Sequence, residues 1–368
     1  LLKQRKIRLA QKKREKLSNL FCIGITGSYG KSSTKNILAS LIGKEQSVVT
    51  PGNVNTEIGV ANFLLKKVSE KTKYFVSEMG AYRMGEIKRL SKIVRPKIGI
   101  ITAVSNQHLG LFGSLENIKK GKYELIQALP SDGTAIFNAD NDVCREFAKT
   151  TRNCKVLTYG IHNPADVTAK IITSNEKGVS ATVSGFFPSF DIFLPLFGEH
   201  QISNALAAIT AAISMGITSE QIKERILGVS PVKGTMDVYT MNGTTVIDDS
   251  YNANTVGIAA AADALKKIDK KNKIIVLVPL IELGNSAAAA QHEIVGKSIA
   301  EVTTKVFYTS LDFASNIKQG MGNKTEKLVI ETDPLKLINQ INKYLNSDSV
   351  ILLEGRVPRQ LREYLAKK

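Results

Sequence analysis

The sequence predicts an α/β protein of two consecutive doubly wound units, and three observations carry that expectation. Near the N-terminus a glycine-punctuated loop, Thr26-Gly27-Ser28-Tyr29-Gly30-Lys31-Ser32, joins a short apolar run to a helical pattern. Short apolar runs then alternate with helical stretches, the rhythm of buried parallel strands, and the alternation restarts at residue 244. Between the two stretches, residues 155–197 break the rhythm. A chain of 368 residues also exceeds what one hydrophobic core usually serves.

The first unit's strands are predicted at 21–26, 74–78, 98–102 and 134–137, each a short apolar run. In the interruption, 167–173, 180–183 and 190–194 suit antiparallel strands around a turn at Glu176-Lys177-Gly178. Helices follow at 202–215 and 219–227, the second opened by Thr218 with Gln221 three residues on, a capping-box pattern. Val229-Ser230-Pro231-Val232-Lys233-Gly234 reads as a linker. The second unit's strands are predicted at 244–247, 274–278, 306–309, 328–330 and 350–353, with Asp333-Pro334 as a helix cap and first-turn proline.

Hydrophobic content of 43% is that of an ordinary globular protein. Cys22, Cys144 and Cys154 are odd in number and lack metal spacing, which argues against a disulfide framework or a zinc site. No apolar run reaches the length of a membrane span. The chain begins at Leu1 with no secretory pattern, the expectation for a piece of a longer cytoplasmic protein. Of the net charge of +17, residues 1–16 hold eight basic residues against one acid, a surplus of seven. That run reads as a solvated helical tail, a nucleic-acid contact or a strip facing anionic lipid at the inner face of a membrane. Nucleic acid is disfavoured because no aromatic side chains interleave with the charges.

The loop carries the chemistry. Gly27 and Gly30 let the backbone bring N–H groups to phosphate oxygens, the helix start adds its dipole, Lys31 a mobile charge and Ser32 a hydroxyl for Mg²⁺. The usual first glycine of a phosphate loop would fall on Ile25, and Gly24 sits one place too early, so this is a shorter variant.

That short form resembles the nucleotide loop of the Mur ligases, the ATP-dependent amide ligases of bacterial cell-wall synthesis. Further segments extend the resemblance in the family's chain order: Pro51 to Gly59, Glu78-Met79-Gly80-Ala81, Gly85-Glu86-Ile87, Gly99 to Thr102, His108-Leu109 and Phe112-Gly113-Ser114. Behind them come Asn138 to Asn141, Gly198-Glu199-His200, Asn204 to Ala208, Asp248 to Asn254, and Glu282-Leu283-Gly284. The resemblance implies a basic segment (1–20), a Mur-ligase-like central P-loop ATPase domain with parallel sheet plus antiparallel strands (21–230), and a C-terminal Rossmann-like α/β domain (231–368). Only twenty residues precede the first strand, where the family carries its UDP-substrate domain.

The implied activity is formation of an amide: ATP phosphorylates a carboxylate and an amine displaces the phosphate. The implied substrates are a UDP-linked muramoyl-peptide-like carboxylate and an amino acid or dipeptide. The Asp249 to Asn254 and Phe112 to Ser114 segments are most similar to members that add D-alanyl-D-alanine. By resemblance, Gly27, Ser28, Gly30, Lys31, Ser32 and Ser33 hold ATP, with Asn204 and His200 close to it and Asp249, Tyr251, Asn252 and Asn254 touching it from the second domain. Ser32, Glu78, His108 and Lys122, the last as a carbamate, would hold Mg²⁺, and Lys120 is the competing alignment for Lys122. Asn53, Asn55 and Thr56 would meet the acceptor substrate.

The chain departs from the family at Thr235, where an arginine is usual, and at Glu354-Gly355-Arg356, where Lys-Gly-Ser is common. Ala103, Ser105, Gln107 and Gly110 also differ from the usual residues around His108. Two other readings stay open: another amino-acid-adding ligase of the same fold (folylpolyglutamate-type or cyanophycin-type), and a nucleotide-binding regulator without ligation.

Overall fold

The computed structural model describes residues 2–43, 45–52, 54–106, 109–251, 253–281 and 285–366. It divides into two compact units, one of residues 1–173, 180–195 and 200–229, the other of 174–179, 196–199 and 230–368.

In chain order the first unit's elements are α1 (Leu2–Lys16), β1 (Phe21–Thr26), α2 (Lys31–Ile42), β2 (Ser47–Val49), α3 (Glu57–Lys67), β3 (Tyr74–Glu78), α4 (Glu86–Val94), β4 (Ile98–Ile101), α5 (Leu109–Phe112) and α6 (Leu115–Gln127). There follow β5 (Thr134–Asn138), α7 (Asp142–Thr150), β6 (Lys155–Gly160), β7 (Val167–Asn175), β8 (Gly178–Gly185), β9 (Phe190–Leu194), α8 (His200–Ser214) and α9 (Ser219–Ile226). The sheet order is β2-β3-β1-β4-β5-β6-β7-β8-β9, parallel from β2 to β7 and closed by antiparallel hairpins. Helices α1, α3, α4 and α6 pack with one another over Cys22, Phe75, Ile101 and Phe137, while α2, α8 and α9 form a second packed group.

Two expectations are corrected here, and one strand was not anticipated. Residues 155–160 continue the parallel alternation as β6, and β7 enters alongside it in parallel, Tyr159 opposite Val167. Only past β7 does the sheet turn antiparallel. The edge strand β2, three half-buried residues, carries no apolar run long enough to read as a strand. Residues 2–16 are a docked helix and not a solvated tail: Ala10 is fully buried, and Ile7 and Leu17 join the core. Lys13 Nζ donates to the carbonyls of Leu64 and Leu65, and Arg14 Nε to that of Val94. Those are last-turn carbonyls of α3 and α4, where acceptors outnumber helical donors, and Leu64 also accepts the Val68 N–H (3.2 Å).

The second unit contains β10 (Asp237–Met241), β11 (Thr244–Asp249), α10 (Thr255–Lys266), β12 (Asn272–Leu277), α11 (Asn285–Ala300), β13 (Lys305–Tyr308), α12 (Ala314–Met321), β14 (Leu328–Ile330), α13 (Pro334–Ile341), β15 (Ser349–Glu354) and α14 (Arg359–Leu365). Its sheet runs β10-β11-β15-β12-β13-β14, parallel except for the β10–β11 hairpin, and β10 was not anticipated. Two cores lie on its faces, one including Ile247, Ile275 and Leu352, the other Val246, Ile274 and Ile351. This is the period-two signature of a sheet buried on both sides. The Thr218–Gln221 capping box and the Asp333 cap with Pro334 both form as expected.

Candidate active site

β1 and β3 pair in parallel with Ile25 opposite Glu78, so the loop after β1 opens beside the carboxylate that ends β3. Gly27 and Gly30 take φ of 151° and 79°, in the region that favours glycine. A Cβ at Gly27 would collide with the Thr102 hydroxyl, and one at Gly30 with the Asn204 side chain. The segment after β4 braces the loop. Ser28 N–H donates to the Ala103 carbonyl (2.8 Å), Ser105 N–H to Ser28 Oγ (2.9 Å), and the Thr102 hydroxyl to the Tyr29 carbonyl. α2 starts at Lys31 with no side-chain cap, leaving its first-turn N–H groups and dipole to an anion.

Lys31 Nζ donates to the carbonyls of Gly27 (2.8 Å) and Ser28 (3.2 Å). Burial lowers its pKa, Glu78 partly restores it, and Lys35 lowers it again. Ser32 Oγ donates to Glu78 Oε2 at 2.8 Å. Lys35, one turn beyond Lys31 and absent from the expected set, forms a buried ion pair with the same oxygen at 2.9 Å. Asn55 Nδ2 donates to Oε1 at 3.1 Å, so three side chains hold one carboxylate. Burial pushes the Glu78 pKa up, but Lys31 and Lys35 more than offset this and keep it below the ordinary value. Lys35 was legible only as position i+4 from Lys31 on one helix face.

Lys122, on α6, is buried, and its ammonium has no hydrogen-bond or ion-pair partner among the described residues; Lys120 is exposed. Burial, and then the charge of Lys31, hold the Lys122 pKa well below its ordinary value. Asn204 lies against Gly30, its amide donating to Gln201 Oε1 (3.0 Å), and half-buried His200 opens α8 with its pKa lowered by burial to about 4. Thr56 is exposed at the N-cap position of α3, and its side chain makes no cap bond there. Ser33 is buried in the first turn of α2.

In the second unit, Asp249 ends β11 and takes the Met236 N–H (3.1 Å), while Tyr251 N–H donates to Gly234. Asn254 caps α10 by accepting from Gly257 N–H (2.9 Å), a structural task for a residue expected to touch nucleotide. Asn53, His108 and Asn252 lie outside the described residues, as do Gln107 and Glu282. Among the described residues no three His, Cys, Asp or Glu side chains gather as a metal cluster, and no helix is long and apolar enough to cross a membrane. A cavity of about 990 Å³ opens at the other strand ends of the first unit, lined by Arg14, Phe21, Lys88, Lys92 and Lys97, and touches none of these groups.

Residues 25–212 match the model of the Mur ligase middle domain, and residues 236–357 that of the Mur ligase, glutamate ligase domain. The UDP-N-acetylmuramoyl-tripeptide--D-alanyl-D-alanine ligase of Mycobacterium bovis is 36% identical over 76% of this chain, which spans only 56% of that relative. The MurF structure from Acinetobacter baumannii superposes with a TM-score of 0.90 at 27% identity, covering 99% of this chain and 81% of that one. The MurF ligase of Thermotoga maritima in complex with ADP gives 0.88 at 26% identity, covering 99% and 83%. With a phosphate-type loop at the sheet's carboxyl edge and two family models spanning both units, the chain belongs to the Mur ligase family.

Proposed function

We propose that this chain is an ATP- and Mg²⁺-dependent amide ligase that adds D-alanyl-D-alanine, or a single amino acid, to a UDP-muramoyl-peptide-like carboxylate in peptidoglycan synthesis. The observation that carries the reading is the loop: Gly27 and Gly30 with no room for a Cβ, ending in an uncapped helix start beside Lys31, Ser32 and Glu78. The names of the relatives, and the ADP bound to the Thermotoga maritima structure, support it. In the reaction the γ-phosphoryl group moves to a carboxylate oxygen, the amine nitrogen attacks that carbon, and phosphate leaves as the amide forms.

Loop N–H groups from Gly27 to Ser33 would face the phosphates, with Asn204 and His200 close by. Lys31 would exchange its two loop carbonyls for phosphate oxygens, supplying charge where it develops. Ser32, Glu78, His108 and a carbamylated Lys122 would hold Mg²⁺, which when bound neutralises the moving phosphoryl group. Burial, and then the charge of Lys31, favour the neutral amine at Lys122, whose nitrogen adds to the carbon of CO₂ and releases a proton to water. An uncarbamylated ammonium there would repel the metal. Asn53, Asn55 and Thr56 would meet the acceptor, and Asp249, Tyr251, Asn252 and Asn254 the nucleotide.

The test is phosphate release from ATP with Mg²⁺, a UDP-muramoyl tripeptide and D-alanyl-D-alanine. Release that depends on both acceptor and amine, falls when bicarbonate is stripped at mildly acidic pH and returns when it is restored, is expected. Release indifferent to the amine, with every acceptor tried, would sink the ligase reading. The alternative it would favour is a nucleotide-binding regulator, suggested by Thr235 and Glu354 where the family usually has cations.

A further inference from the structure

Docking gives α1 two unlike faces. Ile7, Ala10, Arg14 and Leu17 face the first unit's core and the last-turn carbonyls of α3 and α4. At 3.6 residues per turn, Leu2 and Leu9, two turns apart and aligned along the axis, lie roughly 110° round the helix from that docked side, next to Lys13. They are 76% and 48% exposed. Arg5, Lys12 and Lys16 flank this pair on one side and Lys6 on the other, all exposed. The helix's one acid, Glu15, is paired with Arg95. Ile7 is turned inward and packed.

Single exposed leucines are ordinary on any protein surface. Here the two share one line on a helix whose docked side is fixed, and their neighbours on that line are cations with long stems. We infer that this face of α1 rests on an anionic bilayer, with Leu2 and Leu9 entering the headgroup boundary and Arg5, Lys6, Lys12 and Lys16 meeting lipid phosphates. Long basic side chains lay their methylenes along apolar surface while their heads stay at the polar boundary, which lets cations and leucines use one plane. Negative surface potential draws the cluster in and fades within a Debye length. Nucleic acid is the poorer match: the face has no aromatic ring to stack on a base, and its centre would press leucines against phosphates. The inference is independent of the ligase reading.

The experiment is flotation of the 368-residue protein with phosphatidylcholine vesicles with and without phosphatidylglycerol, at about 0.1 M salt, where surface attraction persists over roughly 10 Å. Recovery with the anionic vesicles alone is expected. Leu2→Ser with Leu9→Ser, which keeps every charge, should lower recovery about tenfold, as should Arg5→Gln, Lys12→Gln and Lys16→Gln together. Three control changes at exposed lysines elsewhere, Lys170→Gln, Lys177→Gln and Lys318→Gln, should leave recovery unchanged. Equal recovery with neutral vesicles, a leucine pair that can be removed without effect, or tighter binding to RNA than to anionic vesicles at the same salt would each overturn the proposal.

Discussion

Two lysines one turn apart do different work around Glu78. Lys35 is buried in an ion pair with that carboxylate, whereas among the described residues Lys31 is bonded to the loop's own carbonyls and is depressed by burial and by Lys35. Lys35→Met therefore strands a buried negative charge, and about 3–5 kcal/mol of stability should go with it. Lys31→Ala removes a desolvated cation beside Lys35 and Lys122, so the thermal midpoint should hold while amine-dependent phosphate release falls by about 10³-fold or more. A Lys31→Ala protein that keeps near-normal release, or a Lys35→Met protein as stable as its parent, would contradict this division. The loop itself was legible, since glycines, lysine and serine stand in order in one short segment. Lys35 was not, because its role arises only when the sheet sets β3 beside β1 and brings Glu78 under α2.

At the level of elements, the readable strands were those buried on both faces, where an apolar run is unbroken. β2 and β10 escaped because each sits at a sheet edge and is mostly half-buried, which leaves their residues free to be polar. β6 escaped for a similar reason, its first residues being exposed or half-buried. The basic start looked like a tail because its burial is slight and is made by cations whose partners are backbone carbonyls, which no residue pattern reveals. Arg14 alone donates to the carbonyls of Val94, Leu17 and Leu20, tying α1, the end of α4 and the approach to β1 together. Arg14→Ala should lower stability by about 1.5–3 kcal/mol through those lost charge-assisted bonds. Urea denaturation that is unchanged in midpoint would show that the helix is docked without consequence for the fold.

Across the whole molecule the charge is strongly positive, yet the second unit buries acids at its centre. Glu354 ends β15, the strand at the middle of that sheet, opposite Asp249 in register, and neither of its carboxyl oxygens has a hydrogen-bond partner among the described residues. Burial, then the charge of Asp249, push Glu354 well above the ordinary carboxylate range. Burial above all, with Asp248 adding to it and the Met236 N–H opposing, raises Asp249 from 3.8 to about 7. Motif comparison exposes the lysine-to-glutamate departure, but its meaning depends on strand adjacency, which places a second carboxyl beside it. Between about pH 4 and 7 the folded chain keeps a proton on this pair that the unfolded chain has lost. Stability from the pair is thus complete below the unfolded pKa and declines as pH rises through the folded one. Glu354→Gln removes one of the two buried ionisations, while Asp249 stays raised by its own burial and by Asp248. Parent and variant should melt together near pH 3.5, below the unfolded glutamate's pKa of about 4.3, where the carboxyl is protonated in both states. By pH 8 the variant should be more stable by about 1–3 kcal/mol, the usual cost of a buried polar group without a partner. Calorimetric midpoints across that range decide it, since two curves that stay parallel from acid to alkali would leave the buried pair no part in the molecule's response to pH.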